Sequence, residues 1–97
     1  MAPPLDSGRA DALSDVYKAL ADPTRVQIVH MLKAAAEPVC VCDFTAAFEL
    51  SQPTVSHHLS KLRSAGLISS FKKGIWTFHS LADPLSEPAR AAIELIP

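Results

Sequence analysis

Residues 51–67, SQPTVSHHLSKLRSAGL, constrain the fold more than any other part of the chain. Ser51 is a good helix N-cap, and Pro53 falls in the first turn, where its missing N–H costs nothing. Val55, Leu59 and Leu62 lie on one helical stripe, and Gly66 stands where a left-handed residue closes a helix. We therefore expect a helix from Gln52 to about Ala65. Residues 43–48 form a short apolar helix just upstream, and only Glu49 and Leu50 separate it from Ser51. Two helices joined by so tight a turn make a helix-turn-helix, whose second helix enters a DNA major groove N-terminus first.

The flanking segments complete the architecture. Leu13, Val16, Tyr17 and Leu20 recur at i, i+3, i+4 and i+7, the spacing of an amphipathic first helix. Asp22 as N-cap and Pro23 at the first helical position open a second helix, with Val26, Ile28, Val29 and Leu32 apolar and an end before Pro38. After Gly66, residues 67–71 and 75–79 are rich in Ile, Phe, Trp and Thr, and Lys72-Lys73-Gly74 joins them. That pattern predicts a hairpin wing with two lysines at its tip. Residues 83–96, with Leu85, Ala89, Ala92, Ile93 and Ile96 apolar, predict a last helix. The expected fold is mainly α with a β-hairpin, in the order α-α-α-α(recognition)-β-β-α: a winged helix-turn-helix. Residues 1–10 read as a mobile N-terminal arm, and 11–97 as one DNA-binding and dimerisation domain.

Composition sets the compartment and the partners. Ninety-seven residues suit one domain, and 48% apolar with 20% charged residues is a globular balance. No apolar run approaches the roughly 20 residues that span a bilayer, and MAPPLDSGRA lacks the charged start and apolar core of a signal peptide. We expect a cytoplasmic protein with no membrane partner, where thiols stay reduced. The net charge of −1 hides an asymmetry. Residues 51–80 carry Lys61, Arg63, Lys72 and Lys73 and no acid, a charge of +4, which leaves −5 for the rest. A stretch of that kind in an acidic chain is a surface suited to phosphate.

Lys61, Arg63, Lys72 and Lys73 are candidates for DNA phosphates, which set register without reading sequence. Ser51, Gln52, Thr54, Ser56 and His57 are candidates for base edges, Gln toward adenine. His58 is a further candidate for DNA contact, ranked after His57 because it can also face inward beside Leu62. Leu13, Val16, Leu20, Leu85, Ala89 and Ile93, on the two terminal helices, are shared between the core and a homodimer seam. Such a dimer would place its recognition helices about 34 Å apart on a palindrome.

The chain's only cysteines, Cys40 and Cys42, sit in VCVCDF. On a helix, an i, i+2 pair diverges by roughly 200°, whereas extended backbone puts both side chains on one face. Pro38 before the pair, and Asp43 as a possible cap after it, favour an extended entry. Two thiolates there can chelate one soft ion. Alternatives remain: plain packing, or a pair that oxidises or becomes persulfidated. A small thiol oxidoreductase is disfavoured, because the spacing is not C-x-x-C and no βαβ unit surrounds it. His30 and His79 read as structural or exposed, and not as ligands.

Taken together, ALADPTRVQIVHML, VCVCDF, SQPTVSHHLSKLRSAGLISSFKKG and IWTFHSL resemble the ArsR/SmtB family of bacterial metal-responsive repressors over about residues 13–82. The resemblance implies a non-enzymatic homodimer that leaves its operator when an inducer binds. C-V-C-D is similar to the arsenite and antimonite sensors, and also to the cadmium and lead sensors. The latter add cysteines from the N-terminal arm, which has none here, and residues 81–97 lack the His ligands of the zinc type. As(III) or Sb(III) at Cys40 and Cys42 is the best match. Thr45 stands where arsenic sensors of this pattern often carry a third Cys. The third position then comes from solvent, a small thiol or nothing, or the inducer is a methylated trivalent arsenical.

Overall fold

Caps written into the sequence set most of the helix boundaries in the computed structural model, which describes residues 1–97. Asp6 accepts the Arg9 N–H and starts α1, Ser7–Leu20. Asp22 accepts the N–H groups of Thr24 and Arg25 at 2.8 and 3.2 Å and starts α2, Pro23–Ala34. The chain then forms β1, Val39–Cys40, and α3, Val41–Phe48. Ser51 caps α4, Gln52–Ser64, as its side chain accepts the Thr54 N–H. Beyond α4, Gly66 adopts a φ of +76°. The Leu67 N–H reaches back to the Leu62 carbonyl at 3.1 Å, the 6→1 bond of a Schellman closure. Strands β2, Ile68–Lys73, and β3, Trp76–Leu81, form the wing, and α5 spans Glu87–Glu94.

Four expectations need correction. The first helix begins at Ser7, inside the stretch read as an arm, because Asp6 provides a cap that periodicity alone does not reveal. The last helix begins at Glu87 and not near Asp83: Ser86 is the cap, and Pro88 lies in its first turn. The lysines are not in the wing's loop. Lys72 pairs with Thr77 and Lys73 with Trp76, so a two-residue turn, Gly74-Ile75, closes the hairpin. Gly74 alone has positive φ, +64°, the pattern of a type II′ turn. The tip is therefore apolar, with Ile75 88% exposed. Finally, the sheet has three strands, in the order β1-β3-β2. Strand β1 is only two residues long, too short to leave a periodic signal, and it pairs antiparallel with β3 as Val39↔His79 and Cys40↔Phe78.

One core of 17 buried residues unites the elements. Phe44, Val55, Leu59 and Leu62 bind α3 to α4, Ile28, Val29 and Leu32 face them from α2, and Leu67 and Ile68 anchor the wing. The shape is elongated, 52 × 24 × 23 Å, and the first 15 residues contain no buried side chain. No helix is long and apolar enough to cross a membrane.

Candidate nucleic-acid interface and thiol pair

Helix α4 divides its residues by face. Val55, Leu59 and Leu62 are buried, while Ser51, Gln52, Thr54, Ser56 and His57 are exposed. The Ser51 hydroxyl donates to Thr54 Oγ1 at 2.9 Å, so the two side chains stand as a pair at the N-terminal end. His58 does not join them, contrary to its expected place among the DNA contacts: it is turned away, half-buried toward α2, with Nδ1 3.2 Å from Arg25 Nη1. Arg25 also donates from Nε to the Ala19 carbonyl at 2.6 Å and from Nη2 to the Lys18 carbonyl at 3.4 Å. It therefore ties the end of α1 to the recognition helix. Desolvation opposes ionisation of the neighbouring Asp22. The N–H bonds from Arg25 and Thr24, with the charges of His58 and Arg25, outweigh it and hold this carboxyl below its usual range.

The four cations of residues 51–80 do not share one surface. Arg63 and Lys72 line a groove of about 420 Å³ between α4 and the wing, with Ser56, Ser70, Thr77 and His79. Lys61 faces a different cleft, beside Asp15 and Lys18 of α1. Strand alternation sends Lys73 to the other side of β2, beside Glu37, Pro38 and Phe78. The structure thus brings together Ser56, Arg63 and Lys72, and separates Lys61 and Lys73 from them.

Three side chains with structural consequence had escaped the sequence reading or been set aside in it: Arg25, Ser70 and His79. Arg63 Nη1 donates to Ser70 Oγ at 3.3 Å, and Ser70 Oγ lies 2.7 Å from His79 Nδ1. His79 is 2% exposed, and its Nε2 has no partner. Burial, assisted by the Arg63 charge, lowers its pKa from 6.5 to about 4, so the ring is neutral near pH 7. The spacing from Arg63 to Ser70 carries no periodic signature. Only the wing's register reveals the cluster.

The thiol pair sits where β1 passes into α3. Cys40 ends the strand and, with extended φ −70° and ψ 145°, is the N-cap of α3. Asp43 is therefore not the cap. Its carboxylate accepts the Cys40 N–H at 3.2 Å and completes a capping box from inside the helix. Cys42 belongs to the first helical turn, so the extended arrangement expected for both residues holds only for Cys40. Even so, the sulfurs meet as a disulfide, with Cα atoms 5.1 Å apart, because an N-cap side chain folds back over the turn it caps. Cys40 is buried and Cys42 exposed. The Cys42 N–H donates to Cys40 Sγ at 3.3 Å. Thr45 directs its hydroxyl to the Cys42 carbonyl at 2.9 Å, and no set of three His, Cys, Asp or Glu side chains converges anywhere in the chain.

The terminal helices also sort their residues. Val16, Ala89 and Ile93 are buried in the chain's own core. Leu20 and Leu85 pack against that core. Leu13 is half-exposed in a groove with Ala12, Pro88 and Ala91. Tyr17 and Leu95, 62% and 85% exposed, are the large outward apolar groups of this end.

A helix-turn-helix, a wing and a polar recognition face are now in place, and comparison with known proteins agrees with them. The family model for bacterial regulatory proteins of the arsR family matches residues 22–70. This chain belongs to the arsR family. Members of that family are DNA-binding transcriptional regulators and not enzymes. The arsenic resistance transcriptional regulator ArsR1 of Pseudomonas putida is 44% identical over 66 residues, 68% of this chain and 51% of that protein. The arsenical resistance operon repressor of Escherichia coli is 43% identical over 77 residues, 79% of this chain and 63% of that one. The chain thus spans between half and two thirds of these relatives' length. Among solved structures, the homodimeric winged helix-turn-helix DNA-binding domain Mb0332 of Mycobacterium bovis superposes with a TM-score of 0.76. It is 28% identical, and the match covers 99% of this chain and 86% of that one. The winged helix-turn-helix fold of this arsR-family chain is therefore the family's own.

Proposed function

We propose that this chain is a cytoplasmic, homodimeric transcriptional repressor of a metalloid-resistance operon. It holds a palindromic operator and releases it when As(III) or Sb(III) binds the reduced Cys40 and Cys42 thiolates. The observation that carries this reading is the position of the thiol pair, at the N-terminal turn of α3, one short helix upstream of α4. The N–H bond from Cys42 to Cys40 Sγ and the positive end of a helix favour thiolate charge there. The donor set fits an ion that accepts two sulfurs. Thr45 is committed to the backbone, so a third ligand comes from solvent or a small thiol, or the inducer is a methylated trivalent arsenical with two open positions. Cadmium and lead, which favour more sulfurs, fit less well. The arsenical-resistance relatives support the same inducer class.

The DNA face follows from α4 and the wing. Gln52, Thr54, Ser56 and His57 reach base edges, with Ser51 both cap and contact, while Arg63 and Lys72 grip phosphate and Lys61 and Lys73 contribute from the flanks. His58 serves α4 from behind, through Arg25. Leu13, Tyr17 and Leu95, apolar groups left outward at the terminal helices, supply the dimer seam. An ion that draws the two thiolates together reshapes the start of α3. Because α3 packs on α4 through Phe44, that change biases the reading helix, a coupling between two distinct sites.

A second reading is favoured by the pairing of the two sulfurs: a redox-responsive repressor. A peroxide would take two electrons and two protons from the dithiol, closing the Cys40–Cys42 bond and leaving as water and an alcohol or a second water. One titration separates the readings. Operator binding of the reduced protein is followed by fluorescence anisotropy against As(III), Sb(III), methylarsenite, Cd(II), Pb(II), hydrogen peroxide and polysulfide. Release by the trivalent metalloids at the lowest concentrations supports the first reading, and release by oxidants alone replaces it with the second.

A further inference from the structure

We propose that Ser70 and His79 are positioning residues for Arg63, and that the groove they floor between α4 and the wing seats a DNA backbone phosphate. The inference rests on the DNA-binding reading above and adds a phosphate site with its own support. The groove combines two cations, Arg63 and Lys72, with the hydroxyls of Ser56, Ser70 and Thr77, and no carboxylate lines it. A phosphate needs that chemistry: charge, plus several N–H and O–H donors aimed into one concavity.

Arg63 is exposed, and on an open helix face its long side chain would sample many rotamers. The bond from Nη1 to Ser70 Oγ restrains it across the groove and leaves its remaining N–H groups free for phosphate oxygens. Having accepted from Arg63, Ser70 still has a proton to place, and His79 Nδ1 at 2.7 Å takes it when the imidazole carries its own proton on Nε2. The chain therefore runs Arg63 N–H to Ser70 O–H to His79 Nδ1. It requires a neutral ring, which burial supplies, because a charged imidazole would repel Arg63 and lose its acceptor. This requirement gives a reason for a buried polar ring whose Nε2 is left unpartnered.

His79 is also the register partner of Val39, the residue before Cys40. A displacement of β1 at the thiol pair therefore reaches β3, whose His79 meets Ser70 of β2 and, through it, Arg63 of α4, by a route through the sheet that does not pass through α3.

The test uses the intact protein and a mixed-sequence duplex long enough for a dimer, since phosphate contacts do not depend on sequence. Binding is measured as a function of salt for wild type, Arg63→Gln, Ser70→Ala, Ser70→Thr and the Arg63→Gln/Ser70→Ala double variant. Thermal melts establish that each is folded. Arg63→Gln should lower the log K against log salt slope by about one. Ser70→Ala should weaken binding roughly fivefold in the wild-type background, and Ser70→Thr, which keeps the hydroxyl, should restore it. In the Arg63→Gln background, Ser70→Ala should change nothing further. An equal loss in both backgrounds would make Ser70 merely structural and overturn the proposal, as would an unchanged slope for Arg63→Gln. Failure of wild type to bind any duplex would remove the DNA-binding reading as well, so the two failures are distinguishable.

Discussion

A buried neutral histidine makes stability depend on acid in a defined window, and His79 is the ring concerned. Its pKa is about 4 in the folded chain against 6.5 for a free imidazole. Between those values the unfolded chain binds a proton that the folded chain refuses, so stability falls as pH is lowered from 6.5 toward 4. Each unit of difference is worth about 1.4 kcal/mol. The loss attributable to His79 is therefore about 2 kcal/mol by pH 5 and about 3 kcal/mol by pH 4, as upper values. Against a total of about 5–10 kcal/mol for a domain of this size, that is a large share. Urea denaturation of wild type and His79→Gln at closely spaced pH values between 7 and 4.5 isolates the effect, since the two proteins share every other titrating group. Wild type should lose about 2 kcal/mol more than His79→Gln on going to pH 5. Parallel pH profiles for the two proteins would refute the burial argument, and so would a wild type that gains stability relative to the variant in acid.

Other predictions follow from the same packing. Phe44 is fully buried and stacks on Phe48 with centroids 6.2 Å apart, so Phe44→Ala should cost about 3–5 kcal/mol of unfolding free energy in denaturant titrations. Ser86→Ala removes the bond to the Ala89 N–H and should cost about 1 kcal/mol, read as a lowered melting temperature. Lys72 lines the α4 groove and Lys73 does not, so Lys72→Ala should reduce the salt slope of DNA binding by about one and Lys73→Ala by less. Equal reductions would place both lysines on the same phosphate track.

The parts of the fold that were legible in the sequence are those governed by local rules. Asp22-Pro23, Ser51 with Pro53, and Gly66 fix helix ends by hydrogen bonds within a few residues, and each stands where the pattern placed it. Periodicity likewise identified Val55, Leu59 and Leu62 as the buried stripe of α4. Features that depend on non-local pairing were not legible. Strand β1 exists because β3 offers it partners, and two residues have no periodicity to read. The position of Lys72 and Lys73 depends on where the hairpin turns, and a shift of one residue in that turn moves a side chain to the opposite face. At the thiol pair, the sequence revealed the proximity of the cysteines but not the role of Cys40 as helix cap, since sulfur is not a usual capping group. Val16, Ala89 and Ile93 show the same limit on the terminal helices: apolar spacing marks a face, but only tertiary packing says whether that face meets its own chain or a partner.

The central claim is that the inducer acts through the two thiolates. The most direct measurement is the operator-bound fraction of reduced wild type, Cys40→Ser and Cys42→Ser as As(III) is added, with dissociation followed by anisotropy on one labelled operator duplex. The account predicts that all three proteins bind equally well without arsenic, that wild type is released, and that both variants stay bound. Release of either serine variant at the wild-type arsenite concentration would contradict it.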